Sequence, residues 1–299
     1  MKVLISGSTG LIGSALLEFL RSHGQEAIAL TRSEPRPGEL AVRWDPQAGT
    51  IDQAALEGLD AVVHLAGESI AGEKWNARKM ARIRDSRVKG TALLSEALAG
   101  LKKPPSVLVS ASAVGFYGDR GDEILREDSP PGRGFLAEVC QQWEASAEPA
   151  RRRGIRVVHP RFTTILSHAG GVLPKMVAAF SIGAGGRIGA GRQWWSWIAI
   201  DDAIAAIHHL LASATLAGPV NIASPAPVTN ADFTRTLAHV LSRPAMLPLP
   251  AFAARLAFGK MAEEVMLASA RVEPAQLISD GFLFRYPQLE PALRKLLGK

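Results

Sequence analysis

The chain of 299 residues is predicted to be α/β: a Rossmann-like doubly wound parallel sheet with a smaller, mainly helical C-terminal substrate domain. Three observations predict it. A glycine-rich turn, GSTGLIG at 7–13, directly follows the apolar run VLIS at 3–6 and opens an amphipathic stretch. Through the first 160 residues, short β-branched runs alternate with longer runs of helical period, the pattern of a parallel sheet covered on both faces. After Pro160 the texture changes to glycine turns, tryptophans and prolines.

Taken in order, strands are predicted at Val3–Ser6, Ala27–Leu30, Ala41–Trp44, Ala61–Leu65, Ser106–Ser110 and Val157–His159. Their apolar character predicts burial on both faces. Helices are predicted at Ser14–His23, Arg78–Leu101 and Leu136–Arg152, and right-handed crossovers between the strands give the doubly wound order. The glycines of 182–191 cannot continue a helix cheaply, so this stretch reads as loops and short strands. Helical spacing returns over Asp201–Ala212 and a strand pattern over Gly218–Ala223, while Pro244, Pro248 and Pro250 precede a helical cap. The dinucleotide-binding domain is therefore expected over 1–165, completed by about 197–223. Residues 166–196 and 224–299 form the smaller, substrate-side domain.

Composition narrows the function classes. One cysteine excludes an internal disulfide and thiolate-rich metal clusters within the chain, and a reducing cytoplasmic setting is expected. No apolar run has the length of a membrane span. A formal charge of +6 favours anionic ligands weakly but lacks the concentrated basic face of a nucleic-acid binder. The triple arginine at 151–153 reads as a solvated helix end. The expected partner is a small molecule, with neither nucleic acid nor membrane; a homodimer is left open. No metal site is expected, because the histidines show no ligand spacing.

The cofactor signal is more specific. In a strand–turn–helix context, Gly7, Gly10 and Gly13 permit the tight turn, the close approach of a pyrophosphate and close packing of helix on sheet. Ser8, Thr9, Leu11 and Ile12 complete the loop, and the helix N-terminus supplies the anion site. At the end of the second strand, where a carboxylate would accept from the adenosine ribose, the sequence has Arg32 and Ser33. A guanidinium there suits a ribose phosphate, so NADP(H) is expected ahead of NAD(H).

These residues, with VVHLAG at 62–67, SRVKGTALLSEAL at 86–98, SASAVGFYG at 110–118 and WSWIAIDDAIAAI at 195–207, resemble the extended short-chain dehydrogenase/reductase superfamily. HLAGESI, GRQWWSWI and GFLFRYP narrow the resemblance to its epimerase-like (SDR39U1-like) branch. The resemblance implies that Ala66 and Gly67 lie beside the cofactor and that Ser112 binds a substrate oxygen. It also implies a Tyr-x-x-x-Lys pair for proton transfer on the helix that follows. Here the corresponding positions are Leu136 and Cys140, and the superfamily's helper asparagine is Arg87. The chain is thus an atypical member, and proton transfer must come from elsewhere. Tyr117, Glu138, Cys140, a group of the ligand or ordered water are the candidate replacements.

Ser112 and Tyr117 are the catalytic candidates. Arg87, Arg192, Trp194 and Trp195 are the substrate-binding candidates, the last three because polar donors sit beside a broad aromatic surface. The expected activity is an NADP(H)-dependent oxidoreductase or epimerase-like enzyme acting on a carbonyl or hydroxyl. The resemblance implies a nucleotide sugar as substrate. The competing reading is a catalytically weak NADP(H)-binding regulatory or interaction protein.

Overall fold

The computed structural model describes residues 1–36 and 38–299. The N-terminal apolar run forms β1 (Lys2–Ser6), and the glycine turn leads into α1 (Leu11–Ser22). There follow β2 (Glu26–Thr31), β3 (Ala41–Asp45), β4 (Thr50–Ile51), β5 (Ala61–His64), α2 (Ala77–Ala99) and β6 (Val107–Ser110). Next come β7 (Ser112–Ala113), β8 (Ile124–Leu125), α3 (Phe135–Ala145), α4 (Glu148–Arg152), β9 (Arg156–Phe162) and β10 (Thr164–Leu166). The remainder comprises α5 (Leu173–Ser181), β11 (Trp194–Trp195), β12 (Trp197–Ala199), α6 (Ile200–Ala212), β13 (Gly218–Ile222) and β14 (Val228–Thr229). It ends with α7 (Asn230–Leu241), α8 (Ala251–Phe258), β15 (Arg271–Val272), α9 (Ala275–Ser279) and α10 (Leu289–Leu297).

The main sheet has nine strands in the order β13-β9-β6-β5-β1-β2-β3-β4, with β7 on β9. All its pairings are parallel except β3 with β4. The direction of winding reverses between β1 and β5, the switch point at which such sheets open a crevice. One core cluster unites the sheet with α1, α6, α7 and α10, and a second lies between the sheet and α2 and α4. The smaller pairs β10–β12, β11–β14 and β8–β15 tie the later segments to the sheet's carboxyl side.

Two expectations needed correction. The helix expected over Leu136–Arg152 is two, α3 and α4, interrupted at Ser146–Ala147 just before Glu148, with Pro149 in the first turn of α4, where its missing donor is not needed. The strand expected to stop before Pro160 continues to Phe162. Proline is tolerated because β6 pairs with β9 only through Val158, and β7 resumes the ladder at Arg161, so Pro160 stands opposite the gap.

Two contacts fix the carboxyl end of β1. Gly7 has φ of +69° and lies so close to the next loop that a Cβ would stand 2.9 Å from the backbone of Leu65 and Ala66. At Gly13 a Cβ would stand 2.2 Å from the Gly7 carbonyl oxygen. The Ser6 hydroxyl accepts from the Leu65 and Ala66 amides at 3.0 and 3.2 Å, so its proton goes to His64 Nδ1 at 2.6 Å. The imidazole is therefore neutral with its hydrogen on Nε2, and burial pulls its pKa down to about 4.

Gly13→Ala should lower unfolding stability by about 2 kcal/mol or more, read by urea denaturation, because backbone atoms must move to admit the methyl; a change within about 0.5 kcal/mol would contradict this packing. His64 makes stability depend on pH. Its native pKa of about 4 lies below the ordinary 6.5, so between those values the unfolded chain binds a proton that the native ring refuses. Stability is lost as pH falls through that window, by about 3 kcal/mol in all. His64→Asn, which keeps an acceptor for Ser6, should flatten the decline in melting temperature over this range. Equal slopes in the two proteins would refute the assignment.

Candidate active site

In register, Ser6 pairs with His64 and with Leu30, and His64 pairs with Ser110. Because these strands are parallel, the residues that follow each of them emerge at one edge. The glycine loop at 7–13, Arg32 and Ser33, Ala66 and Gly67, and Ser112 accordingly share the carboxyl edge at the switch point. The first turn of α1 begins at Gly10 and, like that of several other helices, has no side-chain cap; what sets α1 apart is the glycine cradle in front of it. The amide donors of α1 are left for an external acceptor. The cradle that any Cβ at Gly7 or Gly13 would fill is thus a fit for a dinucleotide pyrophosphate. Arg32 is exposed just beyond β2, while its neighbour Arg43 is paired with Glu34. Ser33 is also exposed, with its amide on Thr31 Oγ1 at 3.2 Å.

Behind Ser112 lies a chain of buried polar contacts that the sequence did not announce. Ser112 Oγ donates to Glu144 Oε1 at 2.6 Å. Glu144 is gripped by Arg161 through two parallel bonds, Nε to Oε1 at 2.8 Å and Nη2 to Oε2 at 2.9 Å. Such a fork fixes the carboxylate plane as well as its position. Arg161 Nη1 donates to the Tyr117 hydroxyl at 2.9 Å, and that hydroxyl donates to Asn221 Oδ1 at 2.8 Å. Asn221 Nδ2 in turn donates to the Glu273 carbonyl at 2.9 Å. The Arg161 guanidinium also stacks on Phe116, 3.5 Å from its ring centre.

Tyr117 therefore departs from the expectation of a proton donor facing the crevice. It is fully buried, one contact of its hydroxyl accepts and the other donates, and burial pushes its pKa up. Cys140 is buried with its Sγ 3.6 Å from the Ala113 carbonyl, and burial pushes the thiol up to about 11, which disfavours the thiolate needed for reactivity. Leu136 packs beside Gly115, and Glu138 sits on the exposed face of α3. The positions of the absent dyad thus form a largely apolar wall behind the Ser112 loop.

Arg87 is neither a surface ion pair nor a free anion ligand. Its Nη1 donates to the Glu68 and Ile83 carbonyls at 3.0 and 3.1 Å, its guanidinium lies 5.0 Å over the Trp143 ring, and Gly67 packs against it. It braces the loop after β5. Trp194 donates from Nε1 to Asp122 at 2.8 Å and carries Arg271 4.4 Å above its ring. Its amide is bonded to Ser269 Oγ, which donates to the Gly121 carbonyl, so it is anchored to the loop that follows Tyr117. Trp195 packs edge-on against Phe233 at 5.6 Å, on the side of α7, and Arg192 is exposed. Among the described residues no three His, Cys, Asp or Glu are grouped to hold a metal, and no helix is long and apolar enough to cross a membrane.

Glu144, Arg161 and Asn221 are the residues that sequence reasoning passed over. One signal was available: Arg161 interrupts an apolar strand, and a buried guanidinium needs a carboxylate.

Residues 3–223 match the NAD dependent epimerase/dehydratase family, and residues 249–296 match a domain of unknown function, DUF1731. The chain is 42% identical over 291 residues to the epimerase family protein Mb2239 of Mycobacterium bovis, covering 97% of this chain and 96% of that protein. A crystal structure of human epimerase family protein SDR39U1 with NADPH superposes with a TM-score of 0.90 at 31% identity, over 100% of both chains. A nucleoside-diphosphate sugar epimerase from Corynebacterium glutamicum gives a TM-score of 0.81 at 41% identity, over 100% of this chain and 58% of that one. An uncapped helix behind a glycine cradle at the switch point, Ser112 at the neighbouring strand end and these likenesses have one explanation: the chain belongs to the NAD dependent epimerase/dehydratase family, close to its SDR39U1 members.

Proposed function

We propose that this chain is an NADP(H)-dependent oxidoreductase or epimerase-like enzyme acting on a hydroxyl or carbonyl substrate. The observation that carries the proposal is the uncapped start of α1 above Gly7 and Gly13, with exposed Arg32 at the next strand end where a carboxylate would select NAD(H). NADPH in the human relative supports the same choice. A nicotinamide dinucleotide would be held by the 7–13 loop, Arg32, Ser33, Ala66 and Gly67, and would supply or accept hydride.

Ser112 is the residue we assign to the reacting oxygen. Its hydrogen goes to Glu144, so its lone pairs meet a substrate hydroxyl, and a substrate carbonyl would be met by that hydrogen turning from Glu144 to the reacting oxygen. Glu144 and Arg161 orient it, and Tyr117 serves as a positioning residue that locks Arg161. Arg192 and Trp194 are the proposed substrate contacts, with Trp195 stiffening their backbone and Arg87 holding the cofactor-side loop. A sugar bearing a nucleoside diphosphate is the substrate class favoured by the name of the Corynebacterium relative. One observation favours a second reading, a binding protein with little turnover: both Tyr117 and Cys140 are closed to substrate.

Two measurements test these assignments. Calorimetric titration of Arg32→Ala should show the preference for NADPH over NADH reduced by about tenfold or more, the worth of a charge-assisted phosphate contact; an unchanged preference would contradict its role. Ser112→Ala should lose carbonyl-dependent NADPH oxidation by about tenfold or more with NADPH affinity retained. Equal turnover in Ser112→Ala and the wild type would remove Ser112 from the reaction, and no turnover by the wild type across a broad carbonyl panel would favour the binding protein.

A further inference from the structure

We infer that residues 250–268 form a strap that closes over the substrate side of the crevice, with Glu264 as its latch. The inference rests on the reading of the crevice beside Ser112 as the reaction site.

Both ends of the strap are fixed by hydrogen bonds. The Leu249 amide donates to the Arg187 carbonyl at 2.9 Å, and the Leu249 carbonyl accepts from the Gly189 amide at 2.8 Å. At the far end the Ser269 amide donates to Asp119 Oδ1 at 3.1 Å and the Ser269 hydroxyl to the Gly121 carbonyl at 2.6 Å. Between these posts run α8, then Gly259 with φ of +59°, then a π-helical turn over Ala262–Leu267. Such turns are rare and concentrate at functional sites.

This one segment ties together two neighbouring parts of the site. Lys74, in the loop that carries Ala66 and Gly67 away from β5, donates from Nζ to the Leu256 carbonyl at 3.1 Å. Glu264 reaches the start of α3, which Gly134 leaves without a side-chain cap: Oε1 accepts from the Phe135 amide at 2.9 Å and Oε2 from the Leu136 amide at 2.7 Å. A carboxylate there meets the positive end of a helix and two donors at once. Gly134 permits the approach, with φ of +111° and room such that a Cβ would stand 3.3 Å from the carboxylate. Leu136 in turn packs beside Gly115, in the loop that leaves Ser112, so the latch and the wall of the site are coupled. Lys260 lies 3.7 Å from Glu264 and 5.7 Å over the Phe135 ring, and Trp75 meets the same ring edge-on at 5.5 Å.

Little apolar packing holds the strap between its posts. From 251 to 267 the buried residues are two alanines, Ala254 and Ala262, while Phe252, Leu256 and Phe258 are exposed. The sheet strands beneath the site are buried throughout. A segment held by few apolar contacts opens at a lower free energy than the whole chain unfolds, so the polar ties at Lys74 and Glu264 set how often it opens. The remaining tie is Gln193 Nε2, which donates to the Met266 carbonyl at 3.1 Å.

The test is hydrogen exchange of the full chain read by mass spectrometry, without ligand, in the wild type, Glu264→Ala and Glu264→Gln. Loss of two charge-assisted bonds should speed exchange by about tenfold or more in Glu264→Ala, at 134–137 and across 250–268 together. Glu264→Gln keeps one acceptor and should fall between. Strands β5 and β6 should exchange as in the wild type, which shows that the fold survives. A cap that serves α3 alone would raise exchange at 134–137 only; that pattern, or no change, would overturn the strap. Its covering role is read from the fluorescence of bound NADPH, which acrylamide should quench more steeply in Glu264→Ala than in the wild type. Equal quenching would overturn closure over the site. No NADPH binding by the wild type would sink the cofactor reading instead, and the exchange pattern then decides the strap by itself.

Discussion

The approach of α1 to the carbonyl of Gly7 is the contact on which the rest of the structure depends. With no side chain at Gly13, the helix start comes close enough to the turn to direct its uncapped amides into the switch-point crevice. Gly7 in turn lies against Leu65 and Ala66, whose amides are held by the Ser6 hydroxyl. One serine at the end of β1 therefore sets the spacing of the two loops that follow β1 and β5, and a neutral His64 takes its hydrogen. The construction is stiff because every member is buried or is backbone, and a methyl group at either glycine would disturb it.

Arg161 performs the corresponding task behind Ser112. It reaches Ser112 through Glu144, the loop after β7 through Tyr117, and the C-terminal segment through Asn221 and Glu273. A buried guanidinium is costly unless its donors are satisfied, and here two go to a carboxylate and one to a phenol, with a neighbouring ring beneath. The residues that resemblance marks as a missing proton-transfer pair are thus accompanied by a different polar arrangement, one that fixes the orientation of a serine hydroxyl and leaves no titratable dyad at Leu136 and Cys140.

Much of this fold was legible in the sequence, for a local reason. The strand–turn–helix of residues 3–22 is written in contiguous residues, and the buried parallel strands announce themselves as short β-branched runs. Where expectations failed, distant packing decided. The passage of β9 through Pro160 depends on which strands stop pairing at Val158 and resume at Arg161, whereas the helix break beside Pro149 is the one local signal left unread. The bond from Ser112 to Glu144 spans 32 positions, and no periodicity relates the two. Tyr117 looked available because it follows a strand end, yet two further strands and Arg161 enclose it.

The claim at the centre is that the 7–13 loop holds a pyrophosphate while Arg32 meets a ribose phosphate. A crystal structure of the wild-type chain grown with NADPH tests it most directly. The account predicts the pyrophosphate oxygens within hydrogen-bond distance of the amides at the start of α1 and the 2′-phosphate against the Arg32 guanidinium. A cofactor bound elsewhere, or a 2′-phosphate turned away from Arg32 into solvent, would contradict it.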